Sequence, residues 1–317
     1  MIEIYEFGTN HIEAAHRMAL DRYNAERAAA PGLPAVGSVP DLSWFAEHGK
    51  GVAAVENGKF TGFLCAFGPI DNPFGNRDCK GFWSPVHSNA SAGANRVRVY
   101  REMYRAIAEK WVSQGALSHA LTLYAHDQEA VNAFFTYGFG LRCVDMVKPL
   151  EKREIEPCEG LSFAELPRSD AGRIRELNDA MVDHLSKSPC FLHNPKSSAE
   201  SLVNEAEKND SRFFIAKRRE EILAFLKVAP KGETFASLAP DMQNICGAYL
   251  LPEYRGRGIF DALLYFAENT LAKEGYACLG VDFESYNPAA SGFWSKHFTA
   301  YTYSLVRRVD DNALWEK

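Results

Sequence analysis

The chain has 317 residues, 46% hydrophobic and 24% charged, the composition of a soluble globular protein with room for two domains that each bury a core. A formal charge of −6 argues against a nucleic-acid or membrane-surface partner, despite a local Arg-Gly-Arg-Gly run. No apolar run is long enough to span a bilayer, and the opening Met-Ile-Glu-Ile-Tyr-Glu lacks the basic and apolar regions of a secretion signal, so the expected location is cytoplasmic.

Seven cysteines without a Cys-x-x-Cys pair read as reduced thiols, mostly small core residues. Nine histidines show no i, i+4 pair and no Cys/His cluster, so no metal site is expected. A Gly-x-Ser-x-Gly elbow, which a serine hydrolase would need, is missing too.

In chain order, a helix is expected near residues 10–28, followed by a strand pair, Gly51 to Glu56 and Phe60 to Phe67, turned by Asn57-Gly58. Pro69 to Asp78 is rich in turn residues and reads as a loop. A strand around Lys80 to His87, a helix from about Val97, a strand over His119 to His126 and a further helix and strand carry the chain to Leu150. Glu151 to Glu159, charged and carrying Pro157, reads as a linker, which gives domains at 1–150 and 160–317. The second domain opens with a strand at Leu161 to Leu166, helices near 170–186 and 197–208, and a strand pair, Arg212 to Arg218 and Ile222 to Val228. In the next strand, Asn244 to Leu251, Gly247 suggests a bulge or a close backbone approach.

The most informative stretch follows that strand. Tyr249-Leu-Leu-Pro-Glu-Tyr-Arg-Gly-Arg-Gly-Ile-Phe260 runs from an apolar strand into a basic, glycine-spaced turn. Ile259, Ala262, Leu263, Phe266, Ala267, Thr270 and Leu271 then keep the spacing of a core-facing helix, stopped by Gly275. Glycines at 256 and 258 can take positive φ, so successive N–H groups can converge on a phosphate at the helix N-terminus, with Arg255 and Arg257 adding charge. A Walker loop would need Lys-Ser or Lys-Thr after the last glycine, and a dinucleotide fingerprint would need glycine where Asp261 stands. A surface turn with two solvated arginines is the plain alternative. After the helix come an apolar strand, Ala277 to Glu284, and a second helical segment, Asn287 to Lys296.

This order resembles the GNAT superfamily of N-acetyltransferases. Their phosphate loop, Arg/Gln-x-x-Gly-x-Gly/Ala, is matched by Arg255 and Gly258 and departs at Phe260; their Asn-x-x-Ala is matched by Asn287 and Ala290; their tyrosine seven residues after the Asn is replaced by Trp294. An internal repeat extends the resemblance over the whole chain. Gly115 and Gly275, Asp127 and Asn287, and Ala130 and Ala290 all differ by 160, and the first copy ends this region with Gly138-Phe139. Positions 95–100 of that copy, opposite the phosphate loop, contain no glycine. The implied fold is α/β (α+β): two tandem GNAT domains, each a mixed, mostly antiparallel sheet flanked by helices. The first is degenerate and the second competent, broadly as in mycothiol synthases.

The resemblance implies that strands 244–251 and 277–284 splay apart and that an acyl-CoA thioester lies in the gap. The cofactor-binding candidates are Leu250, Leu251, Arg255, Gly256, Arg257, Gly258, Ile259, Phe260, Asn287 and Trp294, with a backbone N–H of Leu250 or Leu251 polarising the carbonyl. On the strand itself, Leu279, Val281 and Phe283 alternate with Asp282 and Glu284, so both carboxylates share one face. An alkyl ammonium titrates near ~10.4, so a base is needed at neutral pH. Asp282, five residues before Asn287, stands where relatives carry their base and is the first candidate, with Glu284 second; the alternative is that both are ordinary ion-pair partners. Tyr249, Tyr254 or Tyr286 could serve as the acid that Trp294 cannot be, although a thiolate is a tolerable leaving group without one. His184, Cys190 and His193 surround the loop where the family often forms its acceptor pocket.

The expected activity is therefore transfer of an acetyl or other acyl group from acyl-CoA to the amine of a small molecule or peptide, by direct attack in a ternary complex of a monomer or homodimer. A CoA-binding or acyl-CoA-sensing module without useful turnover is the alternative.

Overall fold

The computed structural model describes residues 1–156 and 158–314. Pro157 of the expected linker lies outside the described residues. In chain order the elements are β1 (Ile2–Glu6), α1 (Ile12–Ala29), α2 (Ser43–Glu47), β2 (Gly51–Glu56), β3 (Lys59–Cys65), β4 (Phe67–Asp71), β5 (Lys80–Ser84), β6 (Asn89–Ser91), α3 (Arg96–Ser113), β7 (Ala116–Tyr124), α4 (Gln128–Phe135) and β8 (Gly140–Pro149). They continue with β9 (Ser162–Leu166), α5 (Arg175–Leu185), α6 (Ala199–Lys208), β10 (Arg212–Arg218), β11 (Glu221–Ala229), β12 (Met242–Leu250), α7 (Ile259–Lys273), β13 (Cys278–Glu284), α8 (Pro288–Trp294) and β14 (Thr299–Arg308). Two similar helix–strand series thus follow one another, the first with five strands (β2–β6) and the second with three (β10–β12) ahead of the helix–strand–helix–strand run, a mixed α/β architecture.

Two compact units form. The first is Met1–Ala30, Ala35–Val144 and the segment from Ala300 onward; the second is Pro31–Pro34 and Asp145–Thr299. In the first, β1, β2, β3 and β6 form one sheet, while β14 runs antiparallel to β7, whose other edge pairs in parallel with β5. The chain's last strand therefore belongs to the first unit, whereas chain order groups it with 160–317. Conversely, the end of β8 from Asp145 belongs to the second unit. The turn-rich stretch from Pro69 opens as strand, its residues up to Asp71 ending β4, which pairs with β5 through Ile70↔Gly81 and Asp71↔Lys80. The strand expected to reach His87 ends at Ser84 and gives way to a short turn and β6.

The second unit holds the antiparallel run β9, β10, β11, β12, with β13 parallel to β12. Alternation along β10 sends Phe213 and Ile215 to one face, where they join Leu177 of α5, Leu202 and Ala206 of α6, Phe225 and Tyr249. Phe214 points to the other face and meets Phe266 of α7 edge-on, with ring centroids 6.2 Å apart. Burying each such aromatic contributes about 1.5–3 kcal/mol, so the two faces anchor α5–α6 and α7 on opposite sides of one sheet.

Candidate functional site

Strands β12 and β13 pair through Met242↔Cys278, Gln243↔Leu279, Asn244↔Gly280 and Ile245↔Val281, and there the ladder ends, although β12 runs on to Leu250 and β13 to Glu284. The parting coincides with a register shift on the other edge of β12. Lys227 of β11 faces Gly247 and Val228 faces Ile245, so Cys246 is the extra, bulged residue. The bulge lies beside Gly247. A Cβ there would meet Lys227 only at 3.4 Å, so the glycine marks the bulge and not a close approach.

Past the bulge, β12 stays paired with β11. Leu251 donates its amide to the Leu223 carbonyl at 3.1 Å. Donors alternate between the edges of an antiparallel strand, so the N–H of Leu250 points the other way, into the gap left by β13. The structure thus separates the two carbonyl-polarising candidates: Leu250 faces the gap, and Leu251 is committed to the sheet.

A cavity of about 770 Å³ fills this gap. Its walls include Cys246, Ala248, Tyr249 and Leu250 of β12, Asp282 and Glu284 of β13, and His184 of α5. Its floor is the turn into α7, with Arg255, Gly256, Gly258, Ile259 and Phe260, and its far wall is α8, with Asn287 and Trp294. Gly256 and Gly258 have φ of 73° and 72°, and a Cβ at either would stand in open space. Conformation and not crowding requires glycine there. Gly258 caps α7 and its carbonyl accepts the first helical bond, from Ala262 at 3.0 Å; the amides before Ala262 have no partner inside the helix and open toward the cavity.

The arginines differ. Arg255 donates Nε to the Leu250 carbonyl at 3.1 Å and lies over the Tyr249 ring, 5.3 Å from its centroid. Arg257 turns to Tyr254, 5.9 Å away, and does not line the cavity. Asn287 caps α8, its Oδ1 accepting from the Ala290 amide at 3.3 Å, and Asp127 does the same for Ala130 at 3.2 Å in the first unit, so this side-chain cap accounts for the repeated Asn/Asp-x-x-Ala. Trp294 is buried, with Phe260 edge-on at 6.1 Å.

Asp282 has the most displaced carboxyl of the cavity wall. Burial pushes it up to about 7, helped by the negative charges of Glu233 and Glu284. His184 is held below its ordinary value by burial, then by Arg255 and Lys187. Of the three tyrosines expected near the leaving group, Tyr249 lines the cavity and Tyr254 does not; the Tyr286 carbonyl accepts from the Cys190 thiol at 3.7 Å. His193 is exposed and outside the cavity. Met181 and Leu185 of α5 and Leu192 and Asn194 of the loop after it complete the lining beside His184, and nothing in the sequence of the loop marks its two residues, because only its packing brings them there.

In the first unit α3 begins at Arg96, whereas the same place in the second unit, Gly256, is still loop. The Arg96 guanidinium is bound to Asp127 and, at 2.8 Å, to Glu129, and its Nε donates to the Ser91 carbonyl. A turn of helix and an internal cation stand where the second unit opens its amides.

The acetyltransferase (GNAT) family model matches residues 178–298, the segment that contains every wall of this cavity. The chain carries a GNAT acetyltransferase domain. A GCN5-related N-acetyltransferase from Sphaerobacter thermophilus is similar in structure over 99% of this chain and 98% of its own, with TM-score 0.55 and 13% identity. The glucosamine N-acetyltransferase region of a fungal multi-domain GH3 β-N-acetylglucosaminidase aligns with 96% of this chain and 38% of that protein, with TM-score 0.50 and 14% identity. A tandem GNAT protein of the clavulanic acid biosynthesis pathway aligns over 97% and 98%, with TM-score 0.49 and 12% identity. At these identities the likeness is one of fold, and with the Sphaerobacter protein it extends over nearly the whole of this chain. The comparison with curated proteins gives no match. No helix among the described residues is long and apolar enough to cross a membrane, and no group of three or more His, Cys, Asp or Glu among them could hold a metal ion.

Proposed function

We propose that the second unit transfers an acyl group, acetyl in the first instance, from acyl-CoA to an amine by direct attack in a ternary complex. The observation that carries this reading is the parting of β12 and β13 beyond Ile245 and Val281, which leaves an amide donor, a displaced carboxyl and a glycine-formed helix start facing one cavity. The cradle fits a diphosphate: both glycines hold positive φ with open space above them, and the amides of α7 point outward at the positive end of the helix. Acyl-CoA would supply the acyl group as a thioester.

The residues then divide the work. Amides of residues 256–260, with Arg255 beside them, hold the anionic end. The Leu250 N–H polarises the carbonyl from the strand edge, a preorganised donor of the kind most effective where water is excluded. Asp282, with its pKa pushed up to about 7 and so near a neutral working pH, takes the proton of the incoming ammonium, directly or through water, so the attacking nitrogen is neutral. Glu284 lies on the same face as a second acceptor of protons.

A CoA-binding or acyl-CoA-sensing module remains the second reading, favoured by Trp294, a buried indole that cannot protonate a leaving thiolate. The test is release of free CoA from acetyl-CoA by the full chain with a panel of amines. Amine-dependent release is expected; CoA binding without release would decide for the sensing module.

A further inference from the structure

We propose that the acceptor is a small flexible molecule with two cationic amines, one delivered to Asp282 and the other held by the carboxylates beside it. This rests on the acyltransfer reading and names its substrate class. Asp282 and Glu284, two residues apart on one strand face, stand about 7 Å apart, roughly the span of an extended diamine of four or five carbons. Both line the cavity, and Glu233, from the loop between β11 and β12, adds a third negative charge near Asp282.

Two of the cations near this end are already engaged. Lys227, under the bulge, is bound to Glu205 of α6. Arg255 is fixed on the Leu250 carbonyl and the Tyr249 ring, at the phosphate-loop end. Lys296 lines the cavity from beyond α8, and burial keeps His184 toward its neutral form. The acceptor end therefore gathers carboxylates in a partly dehydrated space, which favours a cation at each end and opposes a carboxylate on the acceptor. An alkylamine with a single ammonium would satisfy only one of these charges.

The test compares 1,5-diaminopentane, 1-aminopentane and 5-aminopentanoate as acceptors for the full chain with acetyl-CoA, following release of CoA. The diamine should exceed the monoamine in kcat/KM by about tenfold or more, as for a charged hydrogen bond at a partly buried site, and the aminopentanoate should be poorest. Glu233→Gln, at an exposed loop position that leaves the fold intact, should shrink the diamine-to-monoamine ratio, and Glu284→Gln should shrink it further. Equal or better use of the monoamine or the aminopentanoate would overturn the inference alone. CoA binding without turnover of any amine would overturn the acyltransfer reading and this inference with it.

Discussion

Ile245 and Val281 are the last facing residues of the β12–β13 ladder, and the proposed chemistry begins one residue beyond them, at the bulged Cys246 on one strand and Asp282 on the other. A continuous parallel pair would spend the Leu250 amide on the sheet. Because the ladder stops, that donor and the carboxyl of Asp282 face a cavity, and the glycine turn forms its floor.

Removing the glycine geometry should remove CoA. Valine at φ near +72° is strained whatever the space around it, so Gly258→Val should reduce CoA affinity by at least about tenfold without reaching the core, and Arg255→Glu should weaken it less. Calorimetry with CoA, alongside a thermal melt to confirm the fold, checks this. Undiminished affinity in folded Gly258→Val would remove the diphosphate from this turn.

Asp282 should set the pH profile. A base works in its ionised form, so the rate should rise through pH 7 and level off above it. Asp282→Asn should lower kcat by ~10²-fold or more with CoA affinity nearly unchanged. The same shift has a sign for stability: the folded-state pKa is raised, so the unfolded chain gives up its proton first, and folding weakens as pH rises from about 4 to 7. Asp282→Asn should therefore melt higher than the parent at pH 8 and lose that advantage near pH 4. A rate profile unchanged by the substitution would pass the role to Glu284 or to solvent.

The two leucines offer a sharper test of the strand edge. Proline at 250 removes an N–H that faces the gap, whereas proline at 251 removes one bonded to Leu223. Leu250→Pro should lower kcat by about 10²–10³-fold, the cost of one such donor, while CoA still binds. Leu251→Pro should lower the melting temperature more. The reverse order in both readouts would assign the donor to Leu251.

These tests also show where the sequence is legible. Glycine at 256 and 258 can be read because a backbone need maps onto one residue type, and the alternation of β13 displays both carboxylates on one face without any structure. Gly247 announces the bulge but not its consequence, since the end of a ladder depends on two strands and the sequence is read one at a time. The choice between Leu250 and Leu251 is invisible for a related reason: an amide belongs to the backbone, and only pairing decides which way it points. The part of the cavity wall made by Leu192 and Asn194 comes from a loop path that no periodicity encodes. β1 and β14 are legible only in pairs. Each is a modest alternating segment, and partners from elsewhere in the chain, β2 and β7, make it a strand.

The exchange of terminal strands between units leads to the last prediction. Lys148, at the end of β8, is buried in the second unit and donates Nζ to the equally buried Glu268 of α7 at 2.6 Å, with the Phe298 ring 5.5 Å from the ammonium. Burial raises the Glu268 pKa and Lys148 opposes that rise, so the lysine is the partner that favours a carboxylate inside the helix that presents the phosphate loop. Taking one partner away strands the other charge, at a cost of about 3–5 kcal/mol, whereas replacing both by apolar residues of similar volume is often neutral. Lys148→Met should therefore lower the melting temperature and loosen CoA binding, and Lys148→Met with Glu268→Leu should recover most of the stability. A fragment of residues 158–317, cut at the linker, lacks Lys148 and the strand that carries it, and should be insoluble or bind CoA weakly, while a fragment starting at 140 should fare better. The intact chain should bind one equivalent of CoA, because Arg96 and the first turn of α3 fill the matching place in the first unit. Full stability of 158–317 would overturn the role given to Lys148, and a second equivalent of CoA on the intact chain would show that Arg96 yields to a diphosphate.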